Sequence, residues 1–162
     1  DHLTGKTSPE LLIRWAEWAV LSPVFRLHGS AQSGTHMPWD YDAATLAAYK
    51  KLSLQRQAVA PLIGKLWVQA RKTGMPIATP LWLAYPHDPM AAKQDQQWLL
   101  GPDVLAAPVV TQGATTRTAY LPEGCWVYQP TKKQYSGKRS VTVPAPLGTL
   151  SWFVRCGKNP LG

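Results

Sequence analysis

Pro and Gly cut the second half of this chain into short apolar runs, and that punctuation limits the fold more than any other feature of the sequence. The runs 104–110, 117–121, 126–128, 138–143 and 150–155 are each bounded by turn residues. Runs this short and this regularly spaced predict strands, and strands separated by turns predict a small antiparallel β-sandwich. Alternation turns one face of each strand to the core, so Trp98, Leu105, Val109, Tyr120, Trp126 and Phe153 are its expected buried side chains.

The first half has a different texture. Ser8-Pro9-Glu10 ahead of Leu11, Leu12, Trp15, Trp18 and Ala19 reads as a capped amphipathic helix, with Ser8 as N-cap and Pro9 at the first helical position. Pro23 ends it. Residues 24–27 form a short extended run, and 29–38 a polar, Gly-containing loop. From Asp42 to Lys72, apolar residues recur close to every 3.6 positions, which predicts a long helix kinked at Pro61 and closed by Gly74. The mostly apolar run 75–85 then predicts a strand buried on both faces, followed by a short polar helix over about 90–98.

The expected architecture is α/β then all-β: half of a βα alternation over residues 1–90, incomplete, which by family resemblance is implied to be the last elements of a (β/α)8 barrel, followed by a small antiparallel β-sandwich over 91–162. A complete barrel takes about 250 residues. Asp1 opens the chain in a loop leading straight into a helix, so it is expected to be an internal position of a longer protein. The long helix and the run 75–85 are accordingly expected to expose apolar surface through some of Leu54, Leu62, Leu66, Trp67, Leu81 and Leu83.

Composition narrows the function classes. With 162 residues and 45% hydrophobic content a core can form, while 15 Pro and 8 Trp suit a β-rich or carbohydrate-handling protein better than a helix bundle. The net charge of +8 is scattered in pairs such as Lys50-Lys51 and Lys132-Lys133, which argues against a nucleic-acid partner. No segment has the roughly 18 consecutive apolar residues of a membrane span, and no charged-then-apolar leader is present. Cys125 and Cys156 have no metal-ligand spacing and are expected to be buried free thiols, a disulfide requiring their strands to be neighbours. Neither a metal nor another cofactor is expected.

The clustered polar chemistry is Arg26, His28 and Ser30 at the end of an extended run, with His36, Trp39 and Asp40 just beyond. In a βα barrel, side chains at the C-terminal strand ends line the active site, so His28 faces substrate there. Read from the residues alone, a buried His satisfied by neighbouring backbone stays open.

Three stretches carry a family resemblance. Gln97-Trp-Leu-Leu-Gly-Pro-Asp103 running to Val110, then Arg117 to Trp126, and Ser22-Pro-Val-Phe-Arg-Leu-His28 upstream, resemble the C-terminal part of glycoside hydrolase family 31, the α-glucosidase and α-xylosidase family. The resemblance covers nearly all of the chain. It implies that His28, in the family's S/Y-P-x-x-R-x-H pattern, hydrogen-bonds sugar hydroxyls, with both imidazole nitrogens suited to the task. Arg26 is implied to anchor the strand end through buried hydrogen bonds. Pro38-Trp39 resembles the family's P-W pair, which puts Trp39 at the substrate cleft, whereas Trp98 and Trp126 fall in motifs that build the sandwich and its contact with the barrel. Asp1 resembles the aspartate opening a D-I-G-G segment, and is assigned to substrate binding on that ground. Residues 56–61 resemble an R-x-x-L-x-P stretch. Residues 75–81 parallel P-V-x-R-P-L, but Thr79 stands at the arginine.

The activity implied is retaining hydrolysis of O-glycosyl bonds in α-linked sugars, by a nucleophilic carboxylate and an acid carboxyl about 5 Å apart. No acid of this chain occupies either motif, so no residue here is assigned a catalytic role and the isolated chain is expected to be inactive. The implied partners are an α-linked oligosaccharide or glycoside and the remainder of the parent enzyme, with a homo-oligomer as a further option. The rival is a stand-alone carbohydrate-binding or scaffolding β-sandwich without catalysis.

Overall fold

A computed structural model describes residues 7–29, 34 and 36–161. Helix α1 (Pro9–Val20) starts where the sequence places it: Ser8 is extended, and its side chain accepts a hydrogen bond from the Leu11 amide at 3.1 Å. Helix α2 (Ala43–Thr73) is capped by Asp42, which accepts from the Thr45 amide at 2.7 Å, and ends on Gly74 in the left-handed region at φ 76°. It runs through Pro61 as one 31-residue helix.

Eight strands follow: β1 (Ala78–Pro80), β2 (Trp98–Leu100), β3 (Val104–Ala106), β4 (Thr116–Leu121), β5 (Cys125–Tyr128), β6 (Gln134–Ser136), β7 (Arg139–Pro144) and β8 (Trp152–Arg155). They form one six-stranded sheet in the order β1-β2-β3-β8-β5-β6 and a two-stranded sheet β4-β7, with every pairing antiparallel.

The pleat explains why the larger sheet is buried on both sides. In the register Val104↔Val154, Leu105↔Phe153, Ala106↔Trp152, alternate residues of β3 and β8 face opposite ways. Leu105 and Phe153, with Leu99, Trp126 and Tyr128, meet Ala119, Leu121, Val141 and Val143 of the smaller sheet and make the sandwich core. Val104, Ala106, Val154 and Leu100 face the other way. They pack on Ile13, Ala16 and Val20 of α1 and on Leu52, Val59 and Leu66 of α2. The result is three layers: helices, six-stranded sheet, two-stranded sheet. Of the expected core residues, Leu105, Val109, Tyr120, Trp126 and Phe153 are buried. Trp98 is half-buried, packed on Trp18 with ring centroids 5.4 Å apart while its indole N–H donates to the Leu21 carbonyl.

Three local expectations are corrected. The run 75–85 is not one strand: only β1 is extended, and Leu81–Ala84 turns into a short helix, α3. Leu81 thereby enters the sandwich core fully buried, while Trp82 stays 55% exposed. Residues 90–98 form a single 3-10 turn, Ala91–Lys93, and Trp98 already belongs to β2. Cys125 and Cys156 are not free thiols but a disulfide, with Cα atoms 5.3 Å apart. The pairing β5–β8 makes them neighbours, since Trp126 stands opposite Arg155 and the Cys156 amide donates to the Cys125 carbonyl. Of the apolar side chains expected at the surface, Leu54, Trp67 and Leu83 are exposed, Leu62 is half-buried, and Leu66 and Leu81 are buried.

A buried ion pair locks the helical layer to the smaller sheet. Arg14 Nη1 meets Glu17 Oε2 at 2.8 Å, with side-chain exposures of only 8% and 1%. Arg14 Nη2 donates to the carbonyls of Ala114 (2.6 Å) and Ala145 (3.1 Å), and Glu17 Oε1 accepts from the Gly148 amide at 2.7 Å. Burial pushes the Glu17 carboxyl above its usual range, while Arg14 and the Gly148 and Thr149 amides pull it back.

Glu17→Ala leaves the Arg14 charge buried without its counter-ion and is expected to destabilise the fold by roughly 3–5 kcal/mol in urea unfolding. Glu17→Gln, which keeps an acceptor for the Gly148 amide, should cost less; equal stability of all three proteins would show that the pair does not bind the layers together. Closing a loop of 31 residues, the disulfide should contribute about 3–4 kcal/mol. Replacing both cysteines by Ser should lower the unfolding midpoint accordingly, and thiol titration of the native protein should find no free cysteine.

Candidate functional site around His28

The run that follows α1 is held from behind. Arg56, on α2, points its guanidinium at the end of α1 and donates to the carbonyls of Val20 (3.0 Å), Ser22 and Pro23 (2.9 Å). A cation at these unsatisfied carbonyls is favoured by the helix dipole and satisfies acceptors that Pro23 prevents the helix from using. The same guanidinium lies 6.0 Å from the Phe25 ring, which packs on Tyr49 of α2. Residues 24–29 leave α1 without regular secondary structure.

At the end of this run Arg26 and His28 face each other. Arg26 Nη2 donates to His28 Nδ1 at 3.0 Å, and both residues are exposed. This corrects the expectation of buried anchoring bonds for Arg26, whose partner is the imidazole itself. Arginine has no acceptor, so His28 Nδ1 must be the bare nitrogen and Nε2 carries the hydrogen. One N–H donor is thus left for a ligand, not the donor and acceptor pair of a free imidazole.

Gly29 lies against Gly34 and His36. A Cβ there would lie 2.6 Å from the Gly34 carbonyl oxygen and 3.4 Å from His36 Cδ2, so a side chain would displace the backbone of the loop. The loop's far end is tied to the entry of α1: the Thr7 hydroxyl is 2.7 Å from the Tyr41 hydroxyl and 3.4 Å from His36 Nδ1. Between them a 3-10 turn, Pro38–Asp40, buries Pro38 and leaves Trp39 66% exposed. Its indole face is therefore presented outward, the arrangement that suits stacking on a sugar ring. Ser30 and Asp1 lie outside the described residues.

Thr79, at the position of the family arginine, is buried, and its hydroxyl donates to the Pro76 carbonyl at 2.8 Å. It is satisfied within its own turn and needs no counter-ion. Among the described residues no group of three or more His, Cys, Asp or Glu could hold a metal ion, and no helix is long and apolar enough to cross a membrane.

Sequence reasoning passed over Arg155, on which two of the conspicuous motifs converge. Its guanidinium lies 4.5 Å from the Trp126 ring and donates to the Pro102 and Glu123 carbonyls, each at 3.2 Å, and to the Tyr85 hydroxyl at 2.6 Å. Gly124, at φ 119°, makes room for it, because a Cβ there would stand 2.5 Å from Nη1. The signal was present in Gly-Pro-Asp and Gly-Cys-Trp, but nothing local connects either with residue 155.

Residues 2–66 match the family model for the glycosyl hydrolases family 31 TIM-barrel domain, and residues 74–158 that for the glycosyl hydrolase family 31 C-terminal domain. A sulfoquinovosidase of Agrobacterium fabrum is 37% identical over 151 residues, 93% of this chain and 23% of that protein. Alpha-glucosidase 2 of Bacillus thermoamyloliquefaciens is 32% identical over 151 residues, 93% of this chain and 19% of that protein. Among solved structures, a GH31 alpha-xylosidase from a soil metagenome, complexed with xylose, superposes with a TM-score of 0.87 at 30% identity, over 94% of this chain and 25% of its own. The chain thus spans less than a quarter of these curated relatives. With α1, the run ending at His28 and most of α2 falling in the barrel match, and β1 to β8 in the C-terminal match, the chain belongs to glycoside hydrolase family 31.

Proposed function

We propose that this chain serves as the C-terminal part of a retaining α-glycoside hydrolase, whose nucleophile and acid carboxyl come from the remainder of the parent protein. In this reading His28 and Trp39 contact the α-linked substrate, and Arg26 is a positioning residue that fixes the imidazole. Asp1 joins the set through its family motif alone. The observation that carries the reading is the Arg26–His28 hydrogen bond. It orients one N–H at the end of the run after α1, and a hydrogen bond of that kind discriminates a hydroxyl-bearing substrate strongly because losing it leaves a polar group unpaired.

The relatives supply the substrate class. Their names specify sulfoquinovosidase, alpha-glucosidase and, among structures, alpha-xylosidase, and a Flavobacterium johnsoniae dextranase variant holds isomaltotriose. In a retaining hydrolase of α-linked sugars a carboxylate pair cleaves the glycosidic bond through a covalent glycosyl intermediate. A stand-alone sandwich module fits less well. Lifting the sandwich away from α1 and α2 would uncover Leu100, Val104, Ala106 and Val154 and strand the Arg14 charge.

In the intact parent, His28→Ala is expected to lower kcat/KM for an aryl α-glycoside about 100-fold, roughly 3 kcal/mol of transition-state stabilisation, with thermal stability unchanged. Arg26→Met should produce a smaller loss that appears mainly in kcat, since the imidazole remains but its orientation does not. The 162-residue chain alone should turn over no aryl α-glycoside. Full activity of the His28→Ala parent, or turnover by the isolated chain, would overturn the assignment.

A further inference from the structure

A cleft lies on the sandwich, lined by no residue of the His28 site. It has a volume of about 610 Å³, between the turn after α3 and the ends of β4 and β7. Its floor is rigid. The Tyr120 hydroxyl donates to Asp88 Oδ2 at 2.6 Å, and Asp88 Oδ1 accepts from the amides of Met90 (2.9 Å) and Ala91 (3.2 Å). Burial and the Asp88 carboxylate push the Tyr120 hydroxyl up to about 12, so it remains a donor throughout the ordinary range. Burial would raise Asp88, but the Tyr120 hydroxyl and those two amides hold its carboxyl below the usual range, so it remains an acceptor.

The walls carry groups that the fold does not use up. The Tyr85 hydroxyl accepts from Arg155 Nη2 at 2.6 Å, which leaves its own hydrogen to be donated and fixes the plane of the ring. Exposed His87 stands beside it between Pro86 and Pro89, whose rings stiffen the turn. On the opposite rim Lys138 and Glu123 pair at 3.2 Å with most of both side chains in water. The charged side chains lining the cleft are Asp88, Glu123 and Lys138; Asp88 is engaged by Tyr120 and two amides and Glu123 by Lys138, so no unpaired cation faces the cleft to draw an anion. An aromatic side chain, two proline rings and separate donors and acceptors, with no unpaired cation, match an uncharged polyhydroxylated ring, whose C–H face is apolar and whose edge is hydroxyl-bearing.

We propose that the cleft between Tyr85, Asp88, Glu123 and Lys138 is an accessory binding site for a neutral saccharide, separate from the His28 site. It holds sugar without chemistry, as a point of attachment for a saccharide chain. The inference does not rest on the catalytic reading above, because it stands on other residues and needs no turnover.

The test is saturation-transfer NMR on the 162-residue chain with maltotriose, read as a titration. Binding in the millimolar range is expected, unchanged by His28→Ala. Tyr85→Phe, Glu123→Ala and Lys138→Ala should each weaken it about five- to tenfold, the loss of one hydrogen bond. Glu123 and Lys138 are exposed, so those two variants leave the fold intact and separate loss of binding from loss of structure. No saturation transfer, transfer abolished by His28→Ala, or transfer indifferent to all three cleft variants would overturn the proposal. Loss of activity in His28→Ala parent enzyme with the maltotriose titration unchanged would support the cleft whatever the fate of the catalytic reading.

Discussion

The arrangement of the three layers depends on a charge that cannot reach water. Arg14 leaves the inner part of α1 buried, and the two terminal nitrogens of its guanidinium bond Glu17 and two carbonyls, Ala114 and Ala145, that flank β4 and β7. Glu17 in turn takes the Gly148 amide from the turn before β8. Hydrophobic contact alone would let a helix slide on a sheet, since burial is non-directional. A buried ion pair that also bonds three named backbone atoms, the Ala114 and Ala145 carbonyls and the Gly148 amide, favours one position, because displacement leaves charge or backbone unpaired. The His28 run inherits that precision. It starts where α1 ends, and Arg56 holds its first carbonyls against α2.

A second arginine organises the other end of the molecule. Arg155 terminates β8 and draws together the turn after β2, the turn before β5 and the start of the 85–89 segment, through Pro102, Glu123 and Tyr85. The disulfide begins at the next residue and joins the same two strands. Two motifs far apart in sequence, Gly-Pro-Asp and Gly-Cys-Trp, therefore serve one guanidinium: the first offers carbonyls at the Gly101 turn, the second a glycine without a Cβ and an indole face. Arg rather than Lys is required, since only a planar fork can stack on Trp126 while donating in several directions.

What the sequence disclosed was what short range decides. Ser8, Pro9, Asp42 and Gly74 mark helix ends through bonds that span a few residues, and each does so in the structure. The strands 117–121, 126–128 and 150–155 were legible because Pro and Gly bracket them. The misreadings share one cause, which is that the deciding partner is remote. Residues 75–85 alternate too little to choose between strand and helix, and Pro80 followed by the demand of the sandwich for Leu81 settles the matter. Cys125 and Cys156 could be paired only by knowing that β5 lies beside β8. Neither Arg14 nor Arg155 carries any local sign of its role. At the candidate site the resemblance brought out His28 and Arg26, but not that the two bond to each other, which changes His28 from a donor and acceptor into a single donor.

The two-faced sheet also ties the helical layer and the sandwich into one body. Val104 and Val154 belong to the helical core and Leu105 and Phe153 to the sandwich core, so the same two strands are built into both sides. Rigidity on one side is then rigidity on the other. A hydrogen-bond donor that must meet a sugar hydroxyl within a few tenths of an ångström gains from such backing, because orientation, not contact, is what a substrate-binding side chain contributes to a rate. Under the proposed function the sandwich backs the helices that carry the run Ser22 to His28, since α1 and α2 pack on β3 and β8 and Arg56 of α2 bonds the Ser22 and Pro23 carbonyls.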